Sequence, residues 1–194
     1  PLTDRKNTFY MLRWRFDVFN DDPDVGIVLK TNACRNTLID KNKVVGLISQ
    51  VIRETRHGEY PRVHVMHGDM SEKHVAALYR HPKVQALVAA TRGEGYGLPI
   101  LEAAASGLPV IATDWSGHLD FLRKGKFIKL YYNLDSVAPG RIDNQIFMEG
   151  SRWAHPSEAD FKEKVRKFKQ KPGVPRRGAT DRGARVVGAR SRLT

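Results

Sequence analysis

Apolar residues recur at two alternating periods along the chain. Phe9, Leu12, Phe16 and Phe19 are three and four apart, which predicts a helix over residues 9–20 with one apolar face. Asn7 or Thr8 can cap it, and Asp21-Asp22-Pro23 ends it. Residues 25–29 (VGIVL) predict a buried strand, and residues 32–42 a loop. Residues 43–56 predict a second amphipathic helix with Val44, Leu47, Ile48, Val51 and Ile52 inward, punctuated by Gly58 and Pro61. Residues 63–67 predict a strand. Ser71 then caps a short helix whose Val75, Leu78 and Tyr79 face the core, and Pro82 follows its end.

The rest of the chain is organised around residues 86–113. A short apolar run, 86–90, breaks into Arg92-Gly93-Glu94-Gly95-Tyr96-Gly97. Pro99 is predicted to open a helix, Gly107 to close it, and residues 109–112 to form another buried strand. Strand, glycine-rich turn, helix, strand is the layout of a phosphate-binding α/β unit. Beyond it, Ser116 or Asp114 caps a predicted helix to about Lys124, residues 127–131 read as a strand, and residues 133–152 as irregular. Ser157-Glu158-Ala159-Asp160 has the spacing of a capping box and leads a helix to Gln170 with Phe161, Val165 and Phe168 on one face.

Strict alternation of helix and strand implies an α/β fold with a Rossmann-like, doubly wound parallel sheet covered on both faces. Such a domain starts on a strand, whereas this chain starts on a helix. The expectation is one domain over residues 1–170 lacking its first strand, in a chain that is a fragment.

Charge changes this picture only at one end. The net charge is +12, and residues 171–194 carry seven basic side chains against Asp181 alone, a surplus of six that is half the total. That stretch is rich in Gly, Arg and Ala without apolar period, and is expected to be a disordered basic tail. Its charge alone would attract anionic polymers or an anionic membrane surface. The single cysteine, Cys34, excludes an internal disulfide framework, and no apolar run reaches membrane-spanning length, which together imply a reducing, cytoplasmic setting. No metal is expected. His64 and His67 are three apart on a strand and face opposite ways, while His74 and His81 fall on another helix and its exit.

In open α/β sheets ligands sit beyond the carboxyl ends of the strands. Here those ends are residues 30–32, 67–70, 92–98 and 113–117. Glu102 is the only charged side chain between Glu94 and Asp114, on a helix apolar on every face, so it is expected to be buried. The positive end of the helix favours an anion there by about 0.3–1 kcal/mol, which does not offset full burial. A further partner, protein or ligand, is required. His118 stands near the same end, where it could orient a phosphate or a sugar hydroxyl or simply occupy a surface cap position.

The run from Arg92 to Ala112, RGEGYGLPILEAAASGLPVIA, resembles the signature of the group 1 retaining glycosyltransferases of GT-B fold. Glu94 and Glu102 keep that family's separation of a glutamate, seven residues and a glutamate. Flanking segments resemble it in order. They are residues 65–69 with Ala77-Leu78-Tyr79-Arg80, then Ser116-Gly117-His118-Leu119-Asp120 (with Asp for the usual Glu), then Trp153-Ala154-His155-Pro156-Ser157. The resemblance implies the C-terminal, donor-binding half of a GT-B enzyme, working with an N-terminal acceptor domain. It implies transfer of a hexosyl group from a nucleoside diphosphate sugar to an acceptor hydroxyl, with retention and without a metal. Glu94 and Glu102 would be catalytic, Glu94 meeting hydroxyls of the transferred sugar and Glu102 the ribose. Gly95, Tyr96, Gly97 and Leu98 would contact sugar or diphosphate, and Arg5 and Lys6 would neutralise the diphosphate. Two rivals stand beside this reading. One is a sugar-nucleotide epimerase or glycogen-synthase-like relative of the same fold. The other is a non-catalytic nucleotide- or anion-binding module whose basic tail engages nucleic acid or anionic membrane.

Overall fold

The computed structural model describes residues 4–32, 36–142, 144 and 147–171. Cys34 and the tail from residue 172 onward lie outside the described residues. The chain divides into two compact units, Pro1–Val75 and Ala76–Thr194.

In the first unit a 3-10 turn, Asp4–Lys6, precedes α1 (Thr8–Val18), β1 (Gly26–Thr31), α2 (Leu38–Thr55) and β2 (Arg62–His67). The β-branched runs of β1 and β2 pair in parallel, from Gly26 opposite Arg62 to Thr31 opposite His67. Leu12, Phe16 and Ile27 form its buried core, with Leu29, Val51, Ile52 and Val63 packed around them. Phe9, expected inward, is 39% exposed, and Trp14 is buried instead.

Helix α2 begins at Leu38, inside the segment expected to be a loop. The periodicity concealed this start, because Leu38 and Ile39 are exposed apolar residues that break the inward pattern. The cap reveals it: the Thr37 side chain accepts from the Asp40 amide at 3.1 Å. Leu47, expected inward, is exposed.

Helix α3 (Glu72–Arg80) runs from the first unit into the second, with the Ser71 hydroxyl accepting from the His74 amide. The second unit continues with β3 (Leu87–Ala89), α4 (Leu98–Ala105), β4 (Val110–Thr113), α5 (Leu119–Leu122), β5 (Ile128–Leu130), β6 (Tyr132–Ser136), β7 (Arg152–Pro156) and α6 (Glu158–Gln170). Strands β3, β4 and β5 form a parallel sheet in that order, with β4 central and buried along its whole length. Ile100, Ala103, Ala104, Leu108, Val110, Phe121 and Leu122 make up most of the core beside it.

Helix α4 ends in a Schellman motif. The Leu108 amide donates to the Ala103 carbonyl and the Gly107 amide to that of Ala104, with Gly107 at φ 77°. Residues 133–152, expected to be irregular, contain most of β6 and the first residue of β7, an antiparallel pair that runs from Tyr132 opposite Pro156 to Ser136 opposite Arg152. Strand β6, YNLDS, is short and mostly exposed, so it carries little apolar signal. The capping box of α6 works partly through its neighbour. The Ser157 hydroxyl accepts from the Asp160 amide, while the Asp160 carboxylate accepts from the Tyr131 amide at 2.7 Å. Among the described residues no helix is long and apolar enough to cross a membrane.

Candidate active site at the glycine-rich turn

The site is built where β3 and β4 end side by side. Thr91 and Thr113 are buried there, and the Thr113 hydroxyl donates to the Thr91 carbonyl at 2.8 Å. The chain leaving β3 then makes the turn 93–97 and enters α4. Gly97 is the N-cap, at φ 84° and ψ 50°, a left-handed conformation that favours glycine. The first helical residue is Leu98, one position earlier than expected, with Pro99 second. The Ile100 and Leu101 amides both donate to the Gly97 carbonyl, at 2.9 and 3.0 Å. Pro99 has no amide proton, and the amides of Gly97 and Leu98 have no acceptor within the helix. These two are the donors an anion would meet.

The chain leaving β4 serves as the backing of this turn. Ser116 takes φ 82°, and its hydroxyl accepts from the Glu94 amide at 2.7 Å and donates to the Glu94 carbonyl at 3.2 Å. The Gly117 amide donates to the same carbonyl at 3.1 Å. A Cβ on Gly117 would stand 1.8 Å from the Gly95 oxygen, so only glycine permits this approach. His118 is completely buried and its Nε2 donates to the Thr113 carbonyl at 2.7 Å, which assigns the ring proton to Nε2. His118 is the N-cap residue of α5, as considered, but it is buried rather than on the surface and its side chain makes no cap hydrogen bond. A Cβ on Gly97 would lie 3.0 Å from the His118 Cβ, so the two residues are in close approach at the N-cap of α4.

Glu94 and Glu102 stand on either side of Gly97, three residues before it and five after. Both are half-buried. The expectation of full burial for Glu102 is thus corrected: α4 packs through Ile100, Ala103 and Ala104, and Glu102 lies off that face. Its charge is felt by Tyr79, whose pKa is pushed up to about 12 by burial first and by the Glu102 carboxylate second. Tyr96 is 41% exposed while its ring packs 5.4 Å from that of Phe121. Gly95 and Leu98 are exposed, and Gly97 is buried.

The structure therefore brings Glu94, Gly95, Tyr96, Gly97, Leu98 and Glu102 together in one unit. Arg5 and Lys6 lie in the other unit, half-buried in the Asp4–Lys6 turn. The Thr91–Thr113 bond and the Arg92 contacts had no signal in the sequence. The Arg92 carbonyl accepts from the Ala154 amide at 2.9 Å, and its guanidinium lies 5.6 Å from the Trp153 ring centroid. The segment Trp153-Ala154-His155-Pro156, the last of the flanking segments that resemble the family, lies in strand β7, which leads into α6. His155 has its pKa lowered by burial first and by Arg92 second, with Asp135 acting in the opposite sense.

The strand ends of the first unit also carry polar pairs. His67 Nε2 and the Asp40 carboxylate meet at 2.9 Å, both nearly buried. The Lys30 ammonium donates to the Gly68 carbonyl, and the Asn36 amide to the Asp69 carboxylate. Among the described residues no three His, Cys, Asp or Glu side chains gather as a metal site.

The family model described as glycosyl transferases group 1 matches residues 37–138, just over half of the chain. No curated protein matches in sequence. Among solved structures, the pneumococcal O-GlcNAc transferase GtfA in complex with UDP and GlcNAc is similar, with TM-score 0.57 and 15% identity over 96% of this chain and 31% of that one. A GtfA/B complex is similar with TM-score 0.59 and 17% identity over 99% of this chain and 33% of that one. The C-terminal domain of a glycosyl transferase group 1 family protein (LpcC) from Francisella tularensis is similar with TM-score 0.55 and 17% identity, over 97% and 80%. The chain thus spans about a third of the length of the first two. The likeness places its fold with the C-terminal domains of GT-B glycosyltransferases.

Proposed function

The chain belongs to the group 1 glycosyl transferases, and on that premise we propose that it is the donor-binding part of an enzyme that moves a hexosyl group. The donor is a nucleoside diphosphate sugar, the acceptor a hydroxyl, and the configuration is retained. The observation that carries the reading is the pair of half-buried carboxylates, Glu94 and Glu102, on either side of a helix N-terminus that presents main-chain amides. Glu94 meets hydroxyls of the transferred sugar. Glu102 accepts from the ribose hydroxyls. Departure of the nucleoside diphosphate builds negative charge on the leaving phosphate, and the amides of Gly97 and Leu98 stabilise it there. Tyr96, exposed beside them, lines the sugar. In this reading no divalent metal takes part, and Arg5 and Lys6 are carried as diphosphate partners on the family resemblance alone. The reaction needs an acceptor domain and takes place in the cytoplasm.

Support for the donor class comes from the signature around Gly97 and from the similar GtfA structure, which is described as holding UDP and GlcNAc. The test is titration calorimetry of the chain with UDP, GDP and ADP and with a sugar ester of each. One pair is expected to bind, and folded protein that binds none of the six overturns the reading.

A further inference from the structure

We propose that Ser116 is a positioning residue that sets Glu94 for the sugar of the donor before the donor arrives. This rests on the donor reading above. Ser116 holds φ 82°, a conformation that side-chain-bearing residues seldom adopt. What it gains there is a double contact with one residue. Its oxygen accepts from the Glu94 amide at 2.7 Å, and its proton goes to the Glu94 carbonyl at 3.2 Å. One hydroxyl has one proton and two lone pairs, so the two bonds are compatible. The Gly117 amide adds a second donor to that carbonyl at 3.1 Å. Both main-chain polar groups of Glu94 are therefore held by the turn after β4, twenty-two residues further along the chain.

The consequence is specific to residue 94. Gly93 and Gly95 flank it, and each is free to rotate more widely than any other residue type. Without the Ser116 bonds the Glu94 amide loses this acceptor and its carbonyl loses one of two donors, keeping that of Gly117, so the main chain between two glycines is held less firmly. Glu102 needs no such device, because α4 holds it. Ser116 thus converts a hinge-like run into a fixed mount for one carboxylate.

Two variants separate the hydroxyl from the backbone strain. S116G removes the hydroxyl and relieves the strain, whereas S116A removes the hydroxyl and keeps it. If Ser116 matters only as a turn former, S116G should equal or exceed wild type. The positioning role expects both variants to speed hydrogen exchange at the Glu94 amide in the ligand-free chain by about tenfold, the scale of one lost hydrogen bond. The second arm compares UDP with UDP-glucose, GDP with GDP-mannose, and ADP with ADP-glucose by titration calorimetry. For the pair that binds, both variants should weaken the sugar ester about three- to tenfold more than the plain nucleoside diphosphate. Wild-type protein that binds neither member of any pair overturns the donor reading and the sugar assignment together. Wild type that binds, beside S116G with an unchanged ratio of the two affinities or an unchanged Glu94 exchange rate, overturns the positioning role alone.

Discussion

At the carboxyl ends of β1 and β2 the chain is held by side chains. His67 meets Asp40, Lys30 reaches the Gly68 carbonyl, and Asn36 reaches Asp69. At the ends of β3 and β4 it is held mainly by backbone. Gly117 lies against Gly95, its amide bonds the Glu94 carbonyl, and the side chains that take part, Ser116, Thr113 and His118, each bond a main-chain group rather than one another. The difference has a physical reason. A backbone-built turn needs few side chains, so the amides of Gly97 and Leu98 at the start of α4 stay open. A turn built from polar pairs spends its donors and acceptors on itself. The glycine-rich end is also less tolerant, because no rotamer can relax a backbone clash.

The sharpest way to test that contrast is Gly117→Ala. A methyl group 1.8 Å from the Gly95 oxygen forces two main chains apart. We expect a loss of about 3 kcal/mol in stability, the upper end of ordinary overpacking, and loss of donor binding. The protein has three tryptophans, of which Trp14 alone lies in the first unit. A W14F background therefore reports unfolding of the second unit by fluorescence, and a W115F/W153F background that of the first. Stability within about 0.5 kcal/mol of the parent, the range of neutral surface changes, would break the argument for backbone approach. The matching change in the first unit is Asp40→Ala. It leaves a buried imidazole without its partner and should cost about 2 kcal/mol, read on Trp14, with no effect on the second unit's transition. An equal shift in both transitions would show that the two strand ends are not held separately.

The same contrast explains what could be read in advance. The glycine turn, its helix and the flanking strands were legible because their constraints are local: an apolar run, a glycine at the N-cap, another at the C-terminus. The α/β class followed from alternating periods. The start of α2 was missed because Leu38 and Ile39 are apolar and exposed, although Thr37 and Asp40 already had cap spacing. Strand β6 was missed because its exposed polar residues show no apolar run, and its partner β7 is reached only after the connection 137–151. The pairs His67–Asp40 and Ser116–Glu94 join residues 27 and 22 apart, and no periodicity reports such contacts. Glu102 was noticed for the right reason, as a lone charge in an apolar helix, but its burial was overstated. A helix of small residues can leave one side open without a polar stripe to mark it.

Glu102→Gln probes the ligand side of the glycine-rich end. The amide keeps the shape and loses the charge, so the fold should persist while nucleotide affinity falls about tenfold, the scale of one charge-assisted hydrogen bond. Affinity unchanged in folded protein would remove Glu102 from the site. The same variant has a readout that needs no ligand. Glu102 helps to hold the Tyr79 pKa up near 12, so removing its charge should lower that value. Carbon-13 spectra of labelled tyrosine between pH 8 and 10.5 should show the Tyr79 signal beginning to titrate at lower pH in the variant. An unmoved signal would mean that burial alone sets the Tyr79 value.

The smallest expected effect lies where the second unit departs from its own rule and uses charge. His155 on β7 has its pKa lowered by burial and by Arg92, against the opposing pull of Asp135. A histidine that is harder to protonate when folded binds fewer protons than the unfolded chain. Its contribution to stability is therefore complete above the unfolded value, 6.5, and is lost as pH falls below that toward the folded value. Arg92→Gln removes one lowering cause and should raise the His155 value, and Asp135→Asn removes the raising cause and should lower it further. Proton–carbon NMR of the imidazole follows both directly. A His155 that titrates at or above 6.5 in the folded wild type would contradict the assignment. If R92Q alone leaves the value unchanged, Arg92 holds β7 only through its carbonyl and its stacking on Trp153. The glycine-rich end would then be main-chain-built with no electrostatic exception.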